Sequence, residues 1–488
     1  MAEEKTLSAL IIGAGMSGIC MGIKLQERGI NDFLIIEKSP DVGGTWYDNS
    51  YPGACCDVAS VLYSYSFEPN PDWSRVFSPH NEIQAYFAHC VDRYGLGAHI
   101  RLNTGVKGAR FDEATGVWLV ELESGEQLRA KCLVSGLGQL NRPQVPEFAG
   151  AQSFAGERFH SAKWRHDIDL TGKRVAVIGN AASALQFIPK IAAQVKQLTV
   201  YQRSANYVVK RNDRDYSAGE KARFKRYPWM QKLYRLAVYL RGEVLLYPVM
   251  RAKSRLRRSY EKWTKAYRED FIADPELRRK LTPDYPVGCK RILVSDDYYQ
   301  AFVRPNVELV TSAITSISSG GVDSEDEVSR PVDVIIYGTG FEATKFLSGV
   351  DIYGSNGLSL QEAWAEGPEA YRGVSVAGFP NFFMLYGPNT NLGTNSIIFM
   401  VERQANYIVR CVDKILSHKL TSLDANKAVM QAYNDRMQGE LAKTVWVASC
   451  DSWYKNEAGK VVNNWPRSSL AYWWHMRGPD FTDFDMQA

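Results

Sequence analysis

Two glycine-centred turns carry the most legible chemistry in this chain. Gly13-Ala14-Gly15-Met16-Ser17-Gly18 follows the apolar run Leu10-Ile11-Ile12, and Gly179-Asn180-Ala181-Ala182-Ser183-Ala184 follows Val175-Ala176-Val177-Ile178. A turn of this kind, opening a helix, lets backbone N–H groups approach a pyrophosphate at the helix N-terminus. Each turn runs on through a helix to a second apolar strand, over residues 33–37 in one copy and 198–203 in the other. Glu37 and Arg203 each stand 24 positions beyond the first glycine of their turn. A carboxylate there accepts hydrogen bonds from ribose hydroxyls, whereas an Arg suits a 2′-phosphate. The first copy therefore reads as an FAD or NAD site and the second as an NADP site. Two dinucleotides in one chain imply electron transfer between them. Ala181 stands where a second glycine would let backbone approach phosphate, and its methyl group and restriction of positive φ predict a looser or shifted NADP site.

Such turns need a strand before and a helix after them, and the surrounding pattern supplies both. Residues 7–37 read as a β-α-β unit with its helix over 17–27. A loop rich in Gly, Pro, Ser and Tyr follows over 39–70, and a loop of that length inside a domain usually has a function. Residues 100–135 alternate apolar and polar around Gly105, Gly116 and Gly125, which predicts an antiparallel meander. The proline-containing run 141–147 reads as a domain boundary. The second unit starts near Arg174, basic helices are expected over about 216–285, and strands return at 307–310 and 332–337. The last of these closes on Gly338-Thr339-Gly340-Phe341, and an amphipathic helix is expected over 397–417. The predicted fold is α/β, with two Rossmann-like dinucleotide-binding domains that are discontinuous in sequence and a helical insertion. The expected divisions are 1–145 with 374–488 for the first domain, 146–215 with 325–373 for the second, and 216–324 for the insertion.

Composition narrows the classes further. A chain of 488 residues exceeds one ordinary core and should hold two or three domains. The net charge of +4 leaves no overall electrostatic footprint for nucleic-acid binding. The first residues, Met-Ala-Glu-Glu-Lys, show no leader pattern, so a cytoplasmic protein is expected. The eight cysteines include no C-x-x-C and no metal-ligand spacing. No metal site is expected, and free thiols in a reducing compartment are. Residues 233–250 are interrupted by Arg235, Arg241 and Glu243. They read as an amphipathic helix packed on the body of the protein rather than a membrane span or surface anchor.

Between the two units lies Phe154-Ala-Gly156-Glu-Arg-Phe-His160-Ser-Ala-Lys-Trp164-Arg165. The spacing F-x-G-x-x-x-H-x-x-x-W resembles the fingerprint of type I Baeyer–Villiger monooxygenases, with Arg165 where that family usually has Pro or Asp. Three further segments resemble the same family. They are Gly43-Gly44-Thr45-Trp46-Tyr47 with 51–57, Lys290-Arg291 followed by Asp297-Tyr298-Tyr299, and 333–341; the likeness returns at Asp451-Ser-Trp-Tyr454. The resemblance implies an enzyme that uses FAD and NADPH to insert one atom of O₂ beside a ketone carbonyl, giving an ester or lactone through a peroxyflavin and a tetrahedral adduct.

It also implies roles for particular residues. Arg291, near the end of the insertion, would stabilise the developing oxyanion and touch the nicotinamide end of NADP, with Asp57 holding it in place. Gly13, Gly15, Ser17 and Gly18 would face the FAD pyrophosphate and Glu37 its ribose. Gly44, Thr45, Trp46, Asp57 and Tyr63 would line the flavin, with Val106 presenting backbone to the adenine. Gly179, Asn180, Ser183 and Ala184 would form the NADP turn, and Arg203, Ser204 and Lys290 would read the 2′-phosphate. Residues 389–399 would contribute to the pocket near the flavin. An N- or S-oxygenase sharing the same flavin chemistry is the nearest alternative. A pyridine-nucleotide–disulfide reductase, which needs a redox dithiol, and a non-enzymatic FAD-binding protein are more distant ones. The partners implied are a small ketone and O₂.

Overall fold

Ala9-Leu10-Ile11-Ile12 is apolar on both faces, the pattern of a strand covered on two sides, and it ends β1 (Thr6–Ile12) at the centre of a mixed sheet. In the computed structural model, which describes residues 5–347, 349–448, 450 and 452–488, the turn at Gly13 leads through α1 (Met16–Glu27) to β2 (Phe33–Ile36). β2 lies parallel to β1 with Leu34 opposite Leu10. The long loop carries α2 (Thr45–Asp48) and is followed by α3 (His80–Arg93). β3 (Ile100–Arg101) pairs with β2, and β4 (Val106–Asp112), β5 (Val117–Leu122) and β6 (Gln127–Ser135) form the expected antiparallel meander. β6 also runs parallel to β1, so the meander and the parallel strands share one sheet.

The second sheet starts with β7 (Glu157–His160), β8 (Arg174–Ile178), α4 (Ala182–Ile191) and β9 (Gln197–Tyr201). β10 (Val208–Val209) then leaves for a helical stretch of α5 (Ala218–Arg226), α6 (Pro228–Arg241), α7 (Leu256–Glu269) and α8 (Pro275–Lys280). The chain returns at β11 (Leu293–Val294), parallel to β10. After α9 (Tyr298–Phe302) come β12 (Val307–Val310), a small antiparallel sheet of β13 (Ile314–Ile317), β14 (Gly321–Ser324) and β15 (Ser329–Pro331), and β16 (Val334–Tyr337). The second sheet is parallel throughout, in the order β12-β9-β8-β16-β7. β17 (Asp351–Tyr353), α10 (Leu360–Ala363) and β18 (Phe382–Met384) bring the chain back to the first sheet. α11 (Ile397–Ser417) then packs against α1. β19 (Ser422–Ala425), α12 (Lys427–Leu441), α13 (Ser469–His475) and β20 (Phe484–Gln487, antiparallel to β19) complete the chain.

The α/β architecture with two dinucleotide-type sheets is as expected, but several details differ. β12, expected within the insertion to residue 324, is an edge strand of the second sheet because Leu309 and Val310 bury against β9. β17, expected with the second sheet over 325–373, extends the first, where Ile352 buries opposite Ala109. The helix expected over 233–250 is broken. α6 ends at Arg241, a π turn occupies Gly242–Leu246 and a 3₁₀ turn Tyr247–Met250. Gly242 approaches Thr394 so closely that a Cβ would stand 2.6 Å from its carbonyl oxygen, and Pro248 opens the 3₁₀ turn. The apolar side of α6 is not packed on the body but faces solvent.

The expectation of free thiols holds for six cysteines and fails for two. Cys289 and Cys450, with Cα atoms 6.5 Å apart, are joined in a disulfide. Among the described residues, no helix is long and apolar enough to cross a membrane.

Candidate active site

The first turn is built for close backbone approach. Gly13 has φ +100°, and a Cβ on it would stand 3.0 Å from the Gly136 carbonyl oxygen. A Cβ on Gly18 would collide with the Gly13 carbonyl at 1.9 Å, so α1 can rise from the turn only with glycine there. Ser17 is buried in the first turn of α1. Gly44, at φ +55°, brings the start of α2 against the same place, where a Cβ would be 3.0 Å from the Gly15 Cα. No side chain caps α1 at Gly15, and the start of α2 lies against that N-terminus; the Trp46 and Tyr47 N–H groups of α2 already donate to the Gly43 and Gly44 carbonyls, so α1 is the helix end left open to an anion. That cradle fits a pyrophosphate, with Thr45 exposed at its rim.

Glu37 follows β2 and is buried. Its Oε2 accepts from Ala14 N–H at 2.8 Å and its Oε1 from Ser39 N–H at 2.9 Å. The carboxylate thus locks the turn, and with about four lone-pair sites it keeps capacity for two ribose hydroxyls. Thr104 N–H bonds the Glu37 carbonyl at 2.8 Å, which places Val106, buried at the start of β4, beside the same ribose end. On the other side of the cradle, Trp46 donates its indole N–H to the Tyr63 hydroxyl at 3.1 Å, with the rings edge to face at 5.5 Å.

The second turn repeats the first at backbone level. Gly13 N–H donates to Ile36 O and Gly136 N–H to Ile12 O; Gly179 N–H donates to Tyr201 O and Gly338 N–H to Ile178 O. Gly179 has φ +101°, and a Cβ there would meet the Gly338 carbonyl at 2.5 Å. Ala184 takes the place of Gly18 and packs where a Cβ on Gly338 would stand 2.9 Å from its own. Ala181 corrects an expectation. It caps α4 with φ −75° and ψ −167°, nearly the −80° and −171° of Gly15, so no positive φ is required and only its methyl distinguishes it. Ser183 lies in the first turn of α4.

The loop after β9 gathers the other predicted NADP residues. Lys290 Nζ donates to Ser204 Oγ at 2.8 Å, Asn180 Nδ2 to the Ser204 carbonyl at 3.0 Å, and Arg203 is exposed beside them. One step along the same segment, Arg291 turns toward Asp57, whose Oδ2 accepts from Nε at 2.8 Å and stands 2.6 Å from Nη2 as an ion pair. Neighbouring side chains on this segment leading into β11 thus reach two different loops, Lys290 the one after β9 and Arg291 the one that carries Asp57. The Asp57 charge raises the Arg291 pKa further, so the guanidinium stays charged at any working pH. Both side chains remain partly open, 30% for Arg291 and 26% for Asp57, so the pair is reachable from solvent rather than sealed in a core.

Some residues around this pair were not singled out from sequence. Gln186, a polar side chain on the largely apolar α4, accepts from Tyr51 OH at 2.9 Å and donates to the Cys55 carbonyl at 3.0 Å. It ties the Asp57 loop to the second sheet's helix. Arg211 donates to the Cys55 sulfur at 2.7 Å and stands 3.9 Å from both Asp213 and Asp296. Tyr386 holds φ +58°, a strained value for a non-glycine. Its N–H bonds Gln404 Oε1 at 2.8 Å, its carbonyl accepts from Gln139 at 3.1 Å, and its hydroxyl donates to Asn391 at 2.6 Å. Asn391 in turn donates to Asn464 Oδ1 at 2.6 Å, so residues 386–391 form a buried polar wall. Burial pushes the Tyr454 phenol up to about 12 although Arg291 lowers it, so it stays neutral beside the cation. Ser452, Trp453 and Tyr454 are described, whereas Asp451 lies outside the described residues.

The linker fingerprint packs within the second sheet's unit rather than beside Arg291 and Asp57. A Cβ on Gly156 would stand 2.3 Å from the Asp333 carbonyl. His160 ends β7, accepts from Ala162 N–H at 3.1 Å and meets the Phe341 ring at 5.8 Å; burial lowers its pKa to about 4. Trp164 packs on Phe159 and Phe187. Arg165 pairs with Asp167 on the surface at 2.6 Å.

The chain matches the pyridine nucleotide-disulphide oxidoreductase family over residues 10–233, which spans both glycine turns. It is 42% identical to a Baeyer–Villiger monooxygenase of Pseudomonas aeruginosa over 95% of this chain and 88% of that one. A Baeyer–Villiger monooxygenase of Streptomyces coelicolor is 39% identical over 98% of this chain and 92% of its own. Among solved structures, cyclohexanone monooxygenase from Rhodococcus sp. Phi1 bound to NADP⁺ aligns with a TM-score of 0.90 at 27% identity over the whole of both chains. OTEMO in complex with FAD and NADP aligns with a TM-score of 0.88 at 28% identity, over 99% of this chain and all of that one. With relatives 42% and 39% identical, matched over 88% and 92% of their own length, the chain belongs to the Baeyer–Villiger monooxygenase family.

Proposed function

We propose that this protein is an FAD- and NADPH-dependent Baeyer–Villiger monooxygenase that inserts one atom of O₂ beside the carbonyl of a small ketone. The observation that carries the reading is the adjacency of Lys290 and Arg291, one bonded to the Ser204 loop and the other to the Asp57 loop. When bound, FAD reduced by NADPH supplies the oxygen-activating chemistry. Gly13, Gly15, Ser17, Gly18 and Gly44 would hold its pyrophosphate, and Glu37 and Val106 its adenosine end. Thr45, Trp46 and Tyr63 would stand on its flavin side. Gly179, Asn180, Ser183 and Ala184 would hold the NADP pyrophosphate, and Arg203, Ser204 and Lys290 the 2′-phosphate.

Arg291 is the group that touches the reacting atoms, and Asp57 is a positioning residue. A guanidinium carries five N–H donors in a fixed fork. Asp57 claims one of them through Nε and pairs ionically with Nη2, which leaves further donors to meet negative charge developing on the ketone oxygen. The neutral Tyr386 and Tyr454 leave that charge to Arg291 alone, and their buried hydroxyls add no competing anion.

Sheet membership supports an FAD domain of residues 1–145 and 374–488 that also takes in β17, and an NADP domain of 146–215 and 325–373 that also takes in β12. The insertion then ends near β11, just beyond Arg291. Location in the cytoplasm, where NADPH is supplied, is part of this reading. Anaerobic NADPH should bleach the flavin of the purified protein and NADH should do so far more slowly. A flavin that neither nucleotide reduces would refute the reading.

A further inference from the structure

α6 is turned inside out for a surface helix. Trp229, Leu233, Leu236 and Leu240 fall within roughly 60° of arc on an ideal helix. They are 58%, 56%, 48% and 48% exposed, and Val244 on the following π turn continues the stripe at 61%. A helix packed on a globular body hides such a stripe. Here the polar side chains point inward instead. Gln231 donates to the Asn70 carbonyl at 2.6 Å, and Arg235 donates to the Val61 carbonyl at 2.7 Å and to Ser64 Oγ at 3.2 Å. These bonds fix the helix's rotation, so the apolar face cannot be tucked in by turning the helix. Alongside, α13 is hydrogen-bonded to the same place, with Ser469 Oγ 2.6 Å from Glu243 and 2.9 Å from the Tyr239 hydroxyl. α13 exposes Leu470 and Trp474 at i, i+4 spacing. A contiguous exposed apolar patch of this kind marks an interaction surface.

Charge decides what covers it. Residues 217–270 hold fifteen Lys and Arg against five Asp and Glu, although the whole chain carries a net charge of only +4. Lys232 and Arg241 are exposed on α6 itself, and most of the others lie on α5, which packs against α6, and on α7, which follows the π and 3₁₀ turns and packs on the second of them. Leu and Trp on one face with surrounding cations is the make-up of a helix that lies in a bilayer interface. A second copy of this chain would bring the same excess of positive charge against itself. We infer that the solvent-facing stripe of α6 docks this protein on the surface of an anionic lipid bilayer, lying in the interface without crossing it.

The test is flotation of the FAD-loaded protein with phosphatidylcholine vesicles prepared with and without phosphatidylglycerol. The protein should float with the anionic vesicles, float much less with the neutral ones, and be released by high salt. Leu233→Glu with Leu240→Glu should lower the bound fraction about tenfold or more. FAD content and melting temperature should stay unchanged, because both side chains are exposed. Trp fluorescence should shift to the blue on adding anionic vesicles, and less so in Trp229→Ala. Failure to float with either vesicle would overturn the inference, as would equal flotation of the double variant. It would equally be overturned if light scattering showed a dimer that the double variant splits, with no vesicle binding, since the stripe would then be a contact between copies.

Discussion

Replacing Arg291 by Lys keeps a positive charge at the site and changes only how it is delivered. The guanidinium bonds Asp57 Oδ2 through Nε at 2.8 Å, holds Nη2 2.6 Å from it as an ion pair, and keeps further N–H donors. A Lys ends in one nitrogen at a single point, so an ammonium seated against Asp57 cannot also stand beside a ketone oxygen. Losing one donor of this kind costs on the order of 10²–10³ in kcat, or about 3–4 kcal/mol. The assay measures ester formation by mass spectrometry alongside NADPH oxidation and hydrogen peroxide release. Arg291→Lys should cut ester formation by that factor while NADPH oxidation continues and peroxide accumulates. FAD content should be unchanged, because no FAD-cradle residue is altered. Ester formation within about threefold of the parent would refute the assignment of Arg291. Loss of ketone oxidation with sulfide oxidation untouched would point instead to the N- or S-oxygenase reading.

Arg203→Ala with Lys290→Ala should raise the KM for NADPH by roughly 10–100-fold and leave that for NADH within about threefold, since a 2′-phosphate is bound by charge-assisted contacts; equal effects on both nucleotides would remove these residues from phosphate recognition. Asp424 sits in β19, where burial raises its pKa to about 7, and its Oδ2 accepts from Gly378 N–H at 2.9 Å. Its folded pKa lies above the unfolded value of about 3.9. The stabilising contribution of the protonated carboxyl is therefore present below pH 4 and lost as pH rises toward 7. Asp424→Asn keeps an acceptor for Gly378 and cannot ionise, so its melting temperature should exceed the parent's at pH 8 and match it near pH 4. A difference independent of pH would contradict this.

Much of the site was legible because local backbone chemistry writes itself into residue type. Gly13, Gly18 and Gly179 stand where a Cβ would strike a carbonyl, so the turns could be placed from glycine spacing and the strands before them. Lys290 and Arg291 could be named only through resemblance, because their partners Ser204 and Asp57 lie 86 and 234 residues away. Gln186 and Tyr386 were missed for the same reason, although a Gln on an apolar helix face was a visible signal. Sequence also misjudged Ala181, because glycine's absence was read as lost positive φ when the position needs an ordinary extended φ. The helix over 233–250 was assigned its usual orientation from its pattern alone. Which face turned inward depended on Asn70, Val61 and Ser64, far away in the chain. The pairing of Cys289 with Cys450, across 161 residues, had no local signature either.

If Arg291 does the chemistry assigned to it, an oxygen atom from O₂ ends beside the carbonyl of a ketone. The most direct measurement supplies the FAD-loaded protein with NADPH, a panel of cyclic and linear ketones and ¹⁸O₂, and weighs the products. The product should be an ester or lactone carrying one ¹⁸O, formed with NADPH consumption and largely abolished in Arg291→Lys. Hydrogen peroxide with no labelled ester from any ketone in the panel would contradict it.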